Sequence, residues 1–173
     1  VLRFFQAPPT SQDRHHRYGS QAMTDATLTL IVASGALAVT LVRLSVIAAR
    51  LDVNSPARLV AELRLAQFAA LVLALFGGIY IGIPLVQEAS PGAGIDVALA
   101  IGFLAVASAA ITQEPTRALT LVSLGFAGHA VIALAHGADI LPSDSVPEWF
   151  SAACAIYDVT VAAVCYLPIV RRP

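Results

Sequence analysis

A chain of 173 residues that is 58% hydrophobic and only 12% charged lies far from the soluble average, where about a quarter of residues carry charge. Its mean hydropathy of +0.79 leaves too little polar surface to coat a water-soluble globule. A net charge of −1 without a long basic run argues against nucleic acid as a partner.

The first 22 residues, "VLRFFQAPPTSQDRHHRYGSQA", hold no apolar core and precede Met23. They are expected to be a non-native or disordered extension, leaving 23–173 as a single transmembrane helical domain. The apolar run after Met23 is too long for the core of a signal peptide. It is followed by Arg rather than a small-residue cleavage site. All ten basic residues are Arg, which with the abundance of Ala points to a GC-rich bacterial genome.

A membrane span needs about 20 apolar residues, and five stretches qualify: 26–48, 63–86, 94–112, 117–137 and 147–168. Discounting the third, which has Asp96 in its first turn, would leave four. The breaks "DVNSPAR", "QEASPGAG", "TQEPTR" and "ILPSDSVPEW" carry the expected Pro, Gly and Asp punctuation. In the first span Arg43 can snorkel to the interface or pair with Glu62 of the second. Arg58 and Glu62, at i,i+4, read as helix-start electrostatics. Gly78 and Gly82 form a GxxxG that would admit a neighbouring backbone, and Pro84 is expected to end the second span. The short 113–116 break makes spans three and four an antiparallel hairpin.

Arg43, Arg50, Arg58 and Arg64 cluster at the first break, and Arg171 and Arg172 at the tail. Asp139, Asp144 and Glu148 crowd the fourth. By the positive-inside rule the N-terminus is outside and the C-terminus cytoplasmic. The fold expected is an all-α integral membrane bundle of five transmembrane helices in a bacterial cytoplasmic (inner) membrane.

Spans four and five carry the chemistry. Counting from the outer face, His129 lies about 13 Å deep and Asp158 about 16 Å deep, at matching levels on adjacent antiparallel helices. A carboxylate in hydrocarbon costs about 2.5–3.5 kcal/mol on insertion scales, so pairing with His129 would offset it. Cys154 shares a face with Asp158, Tyr157 lies beside it, and His136 sits two turns above His129, near Glu148 and Trp149. Trp149 suits an interfacial anchor.

Metal chemistry fits less well. His129 and His136 are about 10.5 Å apart along one helix axis, too far to share one ion. A set of His129, Asp158 and Cys154 is the better geometry. Two axial haem ligands would need a histidine from another subunit. Cys154 and Cys165 lie about 16 Å apart along the axis and cannot form a disulfide with each other. No P-loop, GxSxG, HExxH or GxGxxG occurs, and Ser123 is six residues from His129.

The segment "GHAVIALAHGADILPSDSVPEWFSAACAIYDVTVAAVCYLPIVRR" resembles an uncharacterised family of small bacterial multi-pass membrane proteins. In these, a helix with two histidines precedes a VP-aromatic turn and C-x-x-Y-D. The matching positions are His129, His136, Val146, Pro147, Trp149, Cys154, Tyr157 and Asp158. The family often has an acid between the histidines, where this chain has "AVIALA". The resemblance implies a helical membrane fold and no particular activity. Membrane ceramidase-type hydrolases need three histidines around zinc, and only two intramembrane histidines are present here.

The function expected is a non-enzymatic structural, transport or relay component, with no cofactor or metal. Its partners would be the bilayer and a second copy or another membrane protein. The alternative is an intramembrane metal-dependent enzyme using the same cluster. A structural pair should lose stability on His129→Ala and tolerate Asp158→Asn, whereas an enzyme should lose activity on Asp158→Asn. The structural pattern is the expected one.

Overall fold

The computed structural model describes the backbone of residues 11–86, 93–141 and 148–171, and the side chains of 27–79, 81–82, 94–141 and 150–171. Five helices follow in order: α1 (Ser11–Arg50), α2 (Pro56–Val86), α3 (Ala93–Ile111), α4 (Pro115–Gly137) and α5 (Glu148–Val170). All five are long and apolar enough to cross a membrane, and the span in α1 is Thr27–Arg50. No strand occurs among the described residues. The chain is thus a multi-pass α-helical membrane protein.

Two units divide between Leu37 and Ala38. In the first, residues 11–22, read above as an extension, are helical and belong to α1. The second holds α1 from Ala38 onward together with α2–α5. Within it α4 packs against α2, α3 and α5, and half of its span is buried, against 17% for α3. Outward faces are apolar too: Leu71, Ile101, Leu124, Val131 and Ile156 are exposed, as lipid contact demands.

Local chemistry sets the helix ends. α2 starts seven residues before the expected Leu63, because Ser55 caps it and Pro56 occupies the first helical position. Ser55 Oγ accepts from the Ala57 N–H at 3.2 Å. Pro84 does not end α2, whose backbone stays helical to Val86. α4 closes in a Schellman turn: Ile140 N–H donates to Ala135 O at 3.0 Å and Asp139 N–H to His136 O at 3.2 Å. Asp139 takes the left-handed position, at φ 55°, where Asp is among the tolerated non-glycine residues.

The Arg-rich end is fastened by a polar node. Pro168 lies inside α5 and has no N–H to give to the Val164 carbonyl four residues earlier. Ser45 of α1 supplies that donor, its Oγ lying 2.6 Å from Val164 O. Arg58 then binds three elements at once. Its Nε donates to Glu62 Oε1 at 2.9 Å, one terminal nitrogen to Leu51 O at 3.2 Å and the other to Pro168 O at 2.7 Å. The Arg58–Glu62 pair forms at the start of α2 as its spacing suggests, and it is buried there, at 3% and 1% exposure. Arg43 instead lies exposed on α1, in a shallow depression lined by Ala38, Val39, Val42, Val46 and Ile47. Removing the hydroxyl with Ser45→Ala should cost about 0.6–1.7 kcal/mol, the range of interhelical hydrogen bonds in membranes. Thermal melting in detergent reads that loss.

The glycines that matter are not those of the GxxxG. A Cβ on Gly78 or Gly82 would meet nothing within 4 Å among the described residues, so none of these makes the expected close approach there. Gly77 and Gly125 make the close contacts. A Cβ at Gly77 would lie 3.1 Å from Ala100 O, and one at Gly125 would lie 2.6 Å from Leu73 Cδ2 and 3.3 Å from Val106 Cγ1. Gly125→Val should cost about 1–3 kcal/mol by overpacking, whereas Gly78→Leu should leave the melting temperature unchanged. Parallel melts of the two variants check this.

Candidate functional site

α4 and α5 run antiparallel, so residues at equal depth face each other. Gly137 lies beside Ser151, 3.4 Å from a Cβ position to Ser151 Cβ. Two turns deeper the same register brings His129 to Asp158. His129 Nδ1 and Asp158 Oδ2 are 2.5 Å apart, with side-chain exposures of 1% and 0%. The expected pair is formed, and it is wholly enclosed.

Aromatic rings complete the enclosure. Phe103 of α3 meets the His129 ring edge-on at a centroid distance of 5.0 Å, and Phe76 of α2 lies 5.5 Å away. Phe76 also contacts Tyr157 at 5.5 Å and Phe126 at 6.3 Å. Three helices besides α4 thus contribute to the histidine's surroundings.

Of the other expected members, Cys154 is buried one turn before Asp158 and packs with Ala133, Ala155 and Phe150. Tyr157 is half-buried on α5. Its hydroxyl, like Asp158 Oδ1 and Ser123 Oγ, is enclosed without a hydrogen-bond partner among the described residues. No three His, Cys, Asp or Glu side chains come together to hold a metal ion among the described residues. Cys154 therefore does not complete a ligand set with His129 and Asp158.

His136 is buried at 5% exposure, but its neighbour is one the sequence reading missed. Its Nε2 lies 3.2 Å from Asp96 Oδ1 of α3, at ion-pair distance though without hydrogen-bond alignment. The Glu148 and Trp149 side chains expected near it lie outside the described residues, as do Val146 and Pro147. Asp96 had been read as a charge that weakened the third span. A signal was present in the register: Asp96 and Phe103 are seven apart on α3, as His136 and His129 are on α4. In an antiparallel pair one contact therefore repeats a heptad deeper.

A carboxylate and an imidazole at 2.5 Å can exist as an ion pair or as a neutral hydrogen-bonded pair, differing by the position of one proton. Both groups exchange protons readily, and the second carboxylate oxygen retains accepting capacity. No family model matches the chain, and no curated protein or solved structure is similar to it.

Proposed function

We propose that this chain is a non-enzymatic membrane protein that handles protons through the buried His129–Asp158 pair, as a relay or the core of a small proton-coupled transporter. The observation that carries this reading is the pair itself: two ionisable groups in contact at the centre of an apolar bundle. Ionisable residues at membrane depth are expensive, and proton relays are a main use for them. A link needed only to join two helices could be made by amide or hydroxyl groups at lower cost. Asp158 also keeps Oδ1 without a hydrogen-bond partner among the described residues, whereas a purely structural key gains by satisfying both oxygens. By the positive-inside rule the Arg-rich end faces the cytoplasm of a bacterial inner membrane. A second copy or another membrane protein would be its partner.

The test is proton uptake by vesicles that contain the purified protein, a trapped pH-sensitive dye and a potassium diffusion potential. Wild type should acidify the interior faster than empty vesicles. Asp158→Asn, whose amide can still bond His129, should fall to the empty-vesicle rate while keeping its elution volume and melting temperature. A second reading, a structural key between α4 and α5, is favoured by the tight box of Phe76 and Phe103. Asp158→Asn behaving as wild type, or wild type no faster than empty vesicles, would establish that reading instead.

A further inference from the structure

We infer that protons reach the His129–Asp158 pair from the end of the bundle where α3 begins and α4 ends, with Asp96 and His136 as the entry pair; this rests on the proton-handling reading above. Exposure falls along the path. The side chains of His136 and Asp96 are 6% and 15% exposed, whereas those of His129 and Asp158 are 1% and 0%. The outer pair is the one that water at that end can reach first.

The two pairs lie on one face of α4, about 10.5 Å apart along its axis. α5 supplies groups across that interval. Ser151, Cys154 and Asp158 are spaced i, i+3, i+7, which puts them on one side of the helix, and all three are buried. Ser151 stands level with Gly137, and Cys154 packs on Ala133, midway between the histidines. A hydroxyl, a thiol and a carboxylate thus succeed one another at steps of about 4.5 and 6 Å, each able to donate or accept a proton.

The opposite direction holds fewer exchangeable groups, spaced more widely. Below His129 the face of α4 in line with it continues as Phe126, Val122 and Leu119, the buried hydroxyl of Ser123 stands a third of a turn round the helix, and α5 presents Val161. Cys165 is the one exchangeable group among these α5 core positions before the node. The next carboxylate is Glu62, which Arg58 holds at 2.9 Å. On α2 it lies fourteen residues, about 21 Å along the axis, from Phe76, which contacts His129. The denser run marks the side of entry, and release toward the other end passes the sparser groups Ser123 and Cys165. A proton taken from water by the Asp96–His136 pair passes to the Asp158–His129 pair; no bond other than those to the proton changes.

The experiment is the same vesicle assay with Asp96→Asn, Asp96→Glu and His136→Gln, each checked by elution volume and melting. Asp96→Asn and His136→Gln should slow uptake by about 100-fold, the lower end of what a positioned proton-transfer group contributes. Asp96→Glu should restore most of the rate, which a merely structural contact would not require. If Asp96→Asn fails to fold, His136→Gln reads the same step from the other partner. Uptake at wild-type rate in folded Asp96→Asn or His136→Gln, with Asp158→Asn inactive, would overturn the entry path alone. Wild-type vesicles no faster than empty ones would overturn the function reading and the path together.

Discussion

Arg58→Ala should be among the most destabilising single substitutions in this chain, at about 3–5 kcal/mol, the cost of removing one partner of a buried ion pair. The change deletes three hydrogen bonds, to Glu62, Leu51 O and Pro168 O. It leaves the Glu62 carboxylate, 1% exposed, without its guanidinium. The two carbonyls belong to chain segments with few other donors: Leu51 follows the end of α1, and Pro168 lies in the last turn of α5. Arg58→Lys should recover little, because a single ammonium cannot reproduce the planar fork that reaches three acceptors. Arg58→Leu with Glu62→Leu should recover much of the loss, since it removes both buried charges together. Arg64→Ala is the control, an exposed arginine six residues further along α2, and should melt as wild type. Detergent melts of the four variants check the order. A melting temperature for Arg58→Ala within a degree or two of wild type would show that the node does not hold these helices.

The spans were legible because hydrocarbon thickness imposes a run length that few other constraints produce. Their exact ends were not, because these depend on local groups such as Ser55 and Pro56 at the start of α2. The His129–Asp158 contact was legible for a geometric reason. Two antiparallel helices joined by a short connection fix which depths coincide, and cost arguments then select the polar partners. Asp96 was less legible because an acid in the first turn of a helix is already explained by the helix dipole, although the shorter connection between α3 and α4 fixes their register too. The GxxxG was misread because spacing shows only that two glycines share a face. Which neighbour covers that face depends on the rotation of each helix, and here α3 lies over Gly77 rather than Gly78. Arg58 and Glu62 could be paired from the sequence, but their burial depends on the end of α5 arriving over them. The proline at 168, which frees the Val164 carbonyl, marks that end as needing a donor from another helix.

His129 and Asp158 allow stability and function to be separated in one set of variants. His129→Ala should destabilise the bundle strongly, by about 3–5 kcal/mol if Asp158 stays ionised, because it strips the buried carboxylate of its imidazole and opens a cavity between Phe76 and Phe103. His129→Leu with Asp158→Leu should behave in the opposite way. Replacing a buried charged pair with apolar side chains of similar volume is often neutral or stabilising by about 1–4 kcal/mol. In a bilayer the apolar pair also carries no insertion penalty for a charge. The double variant should therefore melt at or above wild type while taking up protons no faster than empty vesicles. Uptake present in wild type and lost in the double variant without loss of stability is what a proton-handling pair produces, because a structural key gives no uptake to lose. Were the double variant to unfold while Asp158→Asn kept full uptake, the pair would be a fastening between α4 and α5, and its polarity would serve packing alone.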